Sequence, residues 1–315
     1  MMKFLVYMLR IRRLEFRIAE IPIFSIPVLL TLRDATPLRT FAFWEGLFLF
    51  FLLFAFGDVI NCLADRDLDA KYKKHLSEAV YGLGVRFVTL QLWMMAVVAL
   101  GIAAHLGWQL HRWVLLPAVG FGLFLGHAYS VPPLRLKARG VWNFICVWAV
   151  VFVGPMLLAA WIVADLPSPL VIAVAASFGV IQEGIIQVNS AEDYFEDRES
   201  GVRTMIIALG LHRGIAAAVA AVVIGGAALV GVFGWAFTAR AVSPAASWSI
   251  APLVLSCLAA ALWVARLHRG ITGQNLEESV ARVKKAGKLV PLWLTLIAWA
   301  SLGASLAIFL SGRGT

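Results

Sequence analysis

Apolar runs of about twenty residues, separated by short polar and basic clusters, set the pattern of this chain. A membrane-spanning helix needs roughly 20 consecutive apolar residues. The sequence divides into about nine such runs, near 14–32, 40–62, 86–105, 112–131, 142–163, 168–190, 213–237, 248–267 and 289–310. Pro22 and Pro27 make the first the least regular, because proline removes an intrahelical hydrogen bond. The pattern predicts an all-α polytopic membrane bundle, with residues 1–315 forming a single domain.

Composition agrees. With 61% hydrophobic and 14% charged residues and a mean hydropathy of +0.86, the chain carries more apolar surface than one soluble core buries. The formal net charge of +9 does not point to nucleic acid, because the cations sit in clusters between apolar runs, where they act as topology signals. Taking alternate ends of the nine runs, one side carries 22 Lys and Arg and the other only five: Arg33, Arg39, Arg112, Arg240 and Arg313. By the positive-inside rule the N-terminus is cytoplasmic. The expected setting is a bacterial cell membrane. No signal-peptide pattern opens the chain. Cys62, Cys146 and Cys257 are too dispersed for a disulfide framework or a CxxC metal site.

The longest polar connections, near 63–85, 191–212 and 268–288, share the cation-rich side, and two of them carry the same motif. Asn61, Asp65 and Asp69 are spaced N-x3-D-x3-D, and Asn189, Asp193 and Asp197 repeat that spacing 128 residues later. The repeat suggests an internal duplication of a four-helix unit. Six of the eight aspartates, Asp58 and Asp67 included, lie in or beside the two copies. Residues four apart on a helix are separated by about 40° around the axis and about 6 Å along it, so each triplet can line one face of a helix end. Four carboxylates converging across a bundle raise one another's proton affinity unless a cation joins them. Hard oxygen ligands suit Mg²⁺, which is commonly shared with substrate phosphates. Asp65, Asp69, Asp193 and Asp197 are the candidate metal ligands, and Asn61 and Asn189 are candidates for hydrogen bonds to metal or diphosphate. Asp67 falls on the opposite side of its helix and reads as a solvent-facing or ion-paired residue.

These segments resemble the UbiA superfamily of intramembrane prenyltransferases. The resemblance is carried by Asn61-x3-Asp65-x3-Asp69 followed by a basic loop, by DYFEDRESGVRT at 193–204, and by YSVPPLRLK at 129–137. It implies a helical bundle around a central cavity, Mg²⁺ at the two aspartate motifs, an isoprenoid diphosphate substrate and a lipophilic, possibly aromatic, acceptor in the membrane. It also implies basic residues that complete the diphosphate site: Lys137, grouped with the four aspartates as catalytic, with Arg135, Arg198 and Arg203. Tyr129 and Ser130 bound the diphosphate or acceptor pocket, and Arg17 faces an acceptor or anchors its helix at the interface. The chain departs from the family pattern at Cys62, where many members have aspartate, and at KKHLSEAVYGLG, which replaces an Arg-Pro segment.

Three functions remain open at this level. The first is a Mg²⁺-dependent prenyltransferase. The second is a terpene cyclase on the same scaffold, in which the substrate's own double bonds capture the carbocation. The third is a transporter with cation-binding carboxylates, disfavoured because such sites lie nearer the membrane midplane. The segment 268–288 is expected to form a short helix, with Glu277 and Glu278 at helical spacing to Arg282.

Overall fold

The computed structural model describes residues 2–14, 17–240 and 242–311. Its helices are α1 (Met2–Arg10), α2 (Arg17–Thr31), α3 (Phe41–Tyr72), α4 (Lys74–Leu83), α5 (Val85–Gln109) and α6 (Leu115–Ser130). Next come α7 (Val141–Val147) and α8 (Gly154–Val163), joined through a π-helical turn at Trp148–Val153, and then α9 (Pro169–Glu192) and α10 (Tyr194–Glu199). The chain closes with α11 (Met205–Leu209), α12 (Leu211–Ala239), α13 (Pro244–Ser247), α14 (Ala251–Ile271), α15 (Leu276–Gly287) and α16 (Val290–Ser311). A backbone in hydrocarbon finds no water to bond, so apolar runs close their hydrogen bonds internally as helices.

Among the described residues, seven segments are long and apolar enough to cross a membrane: 41–72, 85–109, 141–163, 169–192, 211–239, 248–271 and 290–311. The chain is a multi-pass integral membrane protein. The first and fourth of the nine expected runs form α2 and α6, which are only 15 and 16 residues long. At 1.5 Å per residue these reach roughly 23 and 24 Å, short of a hydrocarbon core of about 30 Å. Helix α6 stops where Val131 precedes Pro132 and Pro133, a position that disfavours helical backbone. Residues 15 and 16 of the first run, and Arg313, lie outside the described residues. Helix α3, by contrast, is 32 residues long, ten residues beyond the expected end, and its final turns carry the first aspartate motif. Its start is capped by the Thr40 hydroxyl, which accepts from Phe43 N at 3.3 Å.

Helix α9 is buried along most of its length and packs most closely on α12, with α15 and α16 against its other sides. The α9–α12 contact depends on small residues, because apolar side chains gain little from leaving lipid and close backbone packing must supply the attraction. A Cβ at Gly225 of α12 would lie 2.5 Å from the backbone nitrogen of Ile181, and one at Gly184 of α9 would lie 2.9 Å from Ala221 Cβ. A two-residue strand β1 (Arg139–Gly140) pairs in parallel with β2 (Arg203–Thr204), Arg139 opposite Arg203. It joins the loop after α6 to the segment after α10. The expected helix at 268–288 forms as α15, capped by Asn275 Oδ1 accepting from Glu278 N at 2.8 Å.

Gly225→Val should destabilise the bundle by about 2 kcal/mol or more, since the added side chain meets backbone that cannot yield. Gly231→Ala, where nothing lies within 4 Å of the new Cβ, should leave stability unchanged. Thermal unfolding of the two variants in detergent compares them directly.

Candidate active site

The first motif occupies the last turns of one continuous helix, α3. Asp69 is buried, whereas Asn61 and Asp65 are half-buried. Lys137, from the loop after α6, ion-pairs with Asp65 and donates to Asn61 Oδ1 at 3.0 Å. Ser130 Oγ donates to the same Asn61 oxygen at 3.2 Å. Arg135, held in left-handed backbone at φ 38°, brings its guanidinium 3.5 Å from Asp65 Oδ1. Burial pushes the Lys137 ammonium below its usual proton affinity, and Asp65 acts against that shift. Cys62 turns away from this group, its thiol buried 3.8 Å from the carbonyl of Ile11.

The second motif is built differently. Helix α9 ends at Glu192 and α10 starts at Tyr194, so Asp193 sits at a break instead of on a continuous helical face. One helical hydrogen bond bridges the break, from Asp197 N to Asp193 O at 2.7 Å. Asn189 is exposed, unlike its hydrogen-bonded counterpart Asn61. The break in α9 makes the two triplets inequivalent despite equal spacing.

Contacts across elements bring the two copies together. Lys73, directly after α3, lies 3.5 Å from Asp193 Oδ2. Lys71 is 2.5 Å from Glu199 Oε1, and Tyr72 donates to Glu199 Oε2 at 2.9 Å, so the end of α3 clasps α10. Lys284 of α15 approaches Glu196 at 3.5 Å. The fields of Lys73 and Lys137 reach both Asp69 and Asp197. Asp197 has its carboxyl pushed up to about 7, first by burial and then by Asp193, with Lys73 opposing. A cation at this end of the bundle would compete with a proton that such a carboxyl readily holds.

Among the described residues, no three acidic, histidine or cysteine side chains stand together as a ready-made cation site. Asp65 faces Lys137 and Asp193 faces Lys73. The donor set nonetheless fits Mg²⁺: the oxygens are hard carboxylates, and Asp65 Oδ1 is buried and accepts no hydrogen bond. The remaining expected residues are more dispersed. Tyr129 OH accepts from Asn143 Nδ2 at 3.3 Å. Arg198 and Arg203 are exposed at the α10–β2 segment. Arg17 is engaged by Glu20 and by Asp58 Oδ2 at 2.8 Å, and it donates to Arg12 O at 2.7 Å. Its charge is therefore balanced within the protein. Asp67 is exposed and lies 3.4 Å from Arg66.

Sequence reasoning passed over a buried polar group in mid-bundle. Glu183 and Gln187, both fully shielded in α9, share a hydrogen bond from Gln187 Nε2 to Glu183 Oε1 at 2.5 Å. The second oxygen of Glu183, Gln187 Oε1 and Asn143 Oδ1 are buried without partners. The signal was present: Gln182, Glu183 and Gln187 interrupt the apolar run 168–190, and an intramembrane carboxylate is a functional candidate by default.

A bundle of spanning helices that gathers two aspartate motifs and a basic Pro-Pro loop at one end defines an intramembrane prenyltransferase scaffold. The UbiA prenyltransferase family matches residues 21–290, and the chain belongs to that family. It is 27% identical over 164 residues, 51% of this chain and 43% of the relative, to chloroplastic chlorophyll synthase of Oryza sativa subsp. japonica. It is 32% identical over 125 residues, 37% of each chain, to the bacteriochlorophyll synthase 33 kDa chain of Cereibacter sphaeroides. Less than half of either relative is spanned. A UbiA homolog from Archaeoglobus fulgidus, solved bound to GPP and Mg²⁺, shares the fold with a TM-score of 0.61 at 19% identity, covering 95% of this chain and 99% of that one.

Glu183→Ala should cost about 3 kcal/mol, because it opens a cavity and strands the Gln187 amide. Replacing both Glu183 and Gln187 with leucine removes the unpaired polar atoms together and should recover most of that loss. Chemical unfolding in detergent would compare the two.

Proposed function

We propose that the protein is a Mg²⁺-dependent prenyltransferase that ionises an allylic isoprenoid diphosphate and transfers the prenyl group to a lipophilic acceptor. The observation that carries this reading is the meeting of Asp65, Lys137 and Asn61 with the Lys73–Asp193 pair at one end of an apolar bundle. Asp65, Asp69, Asp193 and Asp197 would hold the metal, whose charge would stabilise the departing diphosphate. Lys137 and Arg135 neutralise further diphosphate charge as the allylic C–O bond breaks, and exposed Arg198 and Arg203 extend that positive surface. Asn61 and Ser130 orient the Lys137 ammonium, and Asn189 offers an amide from the opposite motif. The apolar walls shield the allylic cation from water until the acceptor's nucleophile forms the new bond.

The names of the chlorophyll and bacteriochlorophyll synthase relatives favour transfer to a large ring acceptor over cyclisation. Helices α2 and α6 complete a nine-helix membrane bundle, their short lengths met by local thinning or by burial among longer neighbours. The cation-rich side, which carries both motifs, faces the cytoplasm of a bacterial cell.

Asp65→Ala or Asp193→Ala should abolish product formation while the purified protein stays monodisperse; near-normal turnover in both would remove the metal reading. Asp69→Asn combined with Asp197→Asn should lose little more activity than the worse single variant, because groups acting on one shared diphosphate are non-additive. Rate losses that multiply would mean separate sites. For orientation, single cysteines near Lys73 and Lys284 on a cysteine-free background should label from the cytoplasm only, and one near Arg240 from outside only.

A further inference from the structure

A cavity opens at the other end of the bundle. A cavity of about 530 Å³ is lined by the end of α2, the α8–α9 turn, Arg240 after α12 and the final turns of α16. The first motif leaves α3 and the second leaves α9 at their C-terminal ends. The cavity takes in Ser168, which caps the N-terminus of α9, so the length of that helix, about 36 Å for its 24 residues, separates it from Asp193. Its chemistry is two-sided. Arg33 and Arg240 contribute two cations, no carboxylate is among the lining residues, and Leu166 and Phe309 belong to an apolar wall.

This is the cation-poor side of the chain, with five Lys and Arg in all, yet two of those five line one cavity. Neither is ion-paired with a described residue. Arg240 spends one nitrogen on the carbonyl of Leu30 at 3.0 Å, and Arg33 makes no side-chain hydrogen bond among the described residues. Nearby Arg112 shows the alternative, with its guanidinium taken up by Asp165 at 2.8 Å and by the carbonyls of Trp161 and Ile162. The hydroxyl of Thr31, in the cavity wall, is buried without a partner, and a χ1 rotation would offer it to a ligand.

From this arrangement we infer a binding site for the phosphate headgroup of an anionic phospholipid, in the leaflet opposite the aspartate motifs. Two guanidinium forks match phosphate oxygens by charge-assisted hydrogen bonds, and basic pockets between spanning helices take anionic headgroups in this way. A cavity of this size holds a phosphate with its glycerol. The apolar wall suits the start of the acyl chains, which free phosphate lacks. The inference is independent of the enzymatic reading, since Arg33 and Arg240 take no part in the aspartate site.

The test uses the full chain in nanodiscs of phosphatidylcholine, alone or with about one third phosphatidylglycerol, and reads lipid retention by native mass spectrometry and the thermal midpoint. The wild type should retain phosphatidylglycerol over phosphatidylcholine by about tenfold and gain roughly 4 °C from it. Arg33→Gln with Arg240→Gln should abolish both effects. Arg33→Gln alone, which removes a side chain with no ion pair or hydrogen bond among the described residues, should lose most of the retention. A single monodisperse peak and unchanged helical circular dichroism in plain phosphatidylcholine discs would show that the variants are folded. Equal retention by wild type and both variants would overturn the site. Inorganic phosphate in plain phosphatidylcholine discs should give no shift, and a shift matching that from phosphatidylglycerol would overturn the lipid assignment.

Discussion

Four carboxylates at the rim of this apolar bundle are neutralised by cations from outside their own helix, and these pairings organise the active end of the molecule. Asp65 is met by Lys137 from the loop after α6, Asp193 by Lys73 after α3, Glu199 by Lys71 of α3, and Glu196 by Lys284 of α15. Each pair joins segments distant in sequence. Exposed ion pairs are worth only about 0–1 kcal/mol, so Lys71–Glu199 and Lys284–Glu196 matter for register more than for stability. The Lys137–Asp65 pair is better shielded, and its hydrogen bond to Asn61 ties it to a third group.

The same constraint recurs deeper in the bundle with a different solution. At the start of α2, Arg17 is held between Glu20 and Asp58, so opposite charges cancel close to the first motif. In α9, Glu183 meets no cation among the described residues and shares a hydrogen bond with Gln187. A half-satisfied buried polar group costs more than an apolar one. Yet Glu183 lies in the helix that packs most closely at the centre of the bundle. Close packing of glycines on α9 and α12 sets where α9 ends, and so where Asp193 and the following α10 begin.

The two motif copies show how equal spacing becomes unequal structure. In the first, a continuous helix carries Asn61, Asp65 and Asp69 beyond the apolar run, because nothing between residues 62 and 72 interrupts it. In the second, the helix breaks at Asp193 and α10 takes over. The parallel pairing of Arg139 with Arg203 then draws the basic Pro-Pro loop toward the second motif, although its lysine binds the first.

The sequence by itself determined the class of the molecule. Apolar runs of membrane length force helices because hydrocarbon cannot satisfy backbone hydrogen bonds, and the matched spacing of six Asn and Asp residues marked one end of the bundle. It also marked Lys137, Ser130 and Asn61, which do meet. Tertiary structure decided the pairings. Whether Arg17 faces a substrate or a carboxylate, whether Asn189 mirrors Asn61, and which lysine neutralises which aspartate depend on distances between helices that no local pattern encodes. It also decided that α2 and α6 stop at 15 and 16 residues, and that Arg33 and Arg240, 207 positions apart in the chain, line one cavity. Helical periodicity acts over a few residues, whereas those meetings are set by how α2, α9, α12 and α16 pack.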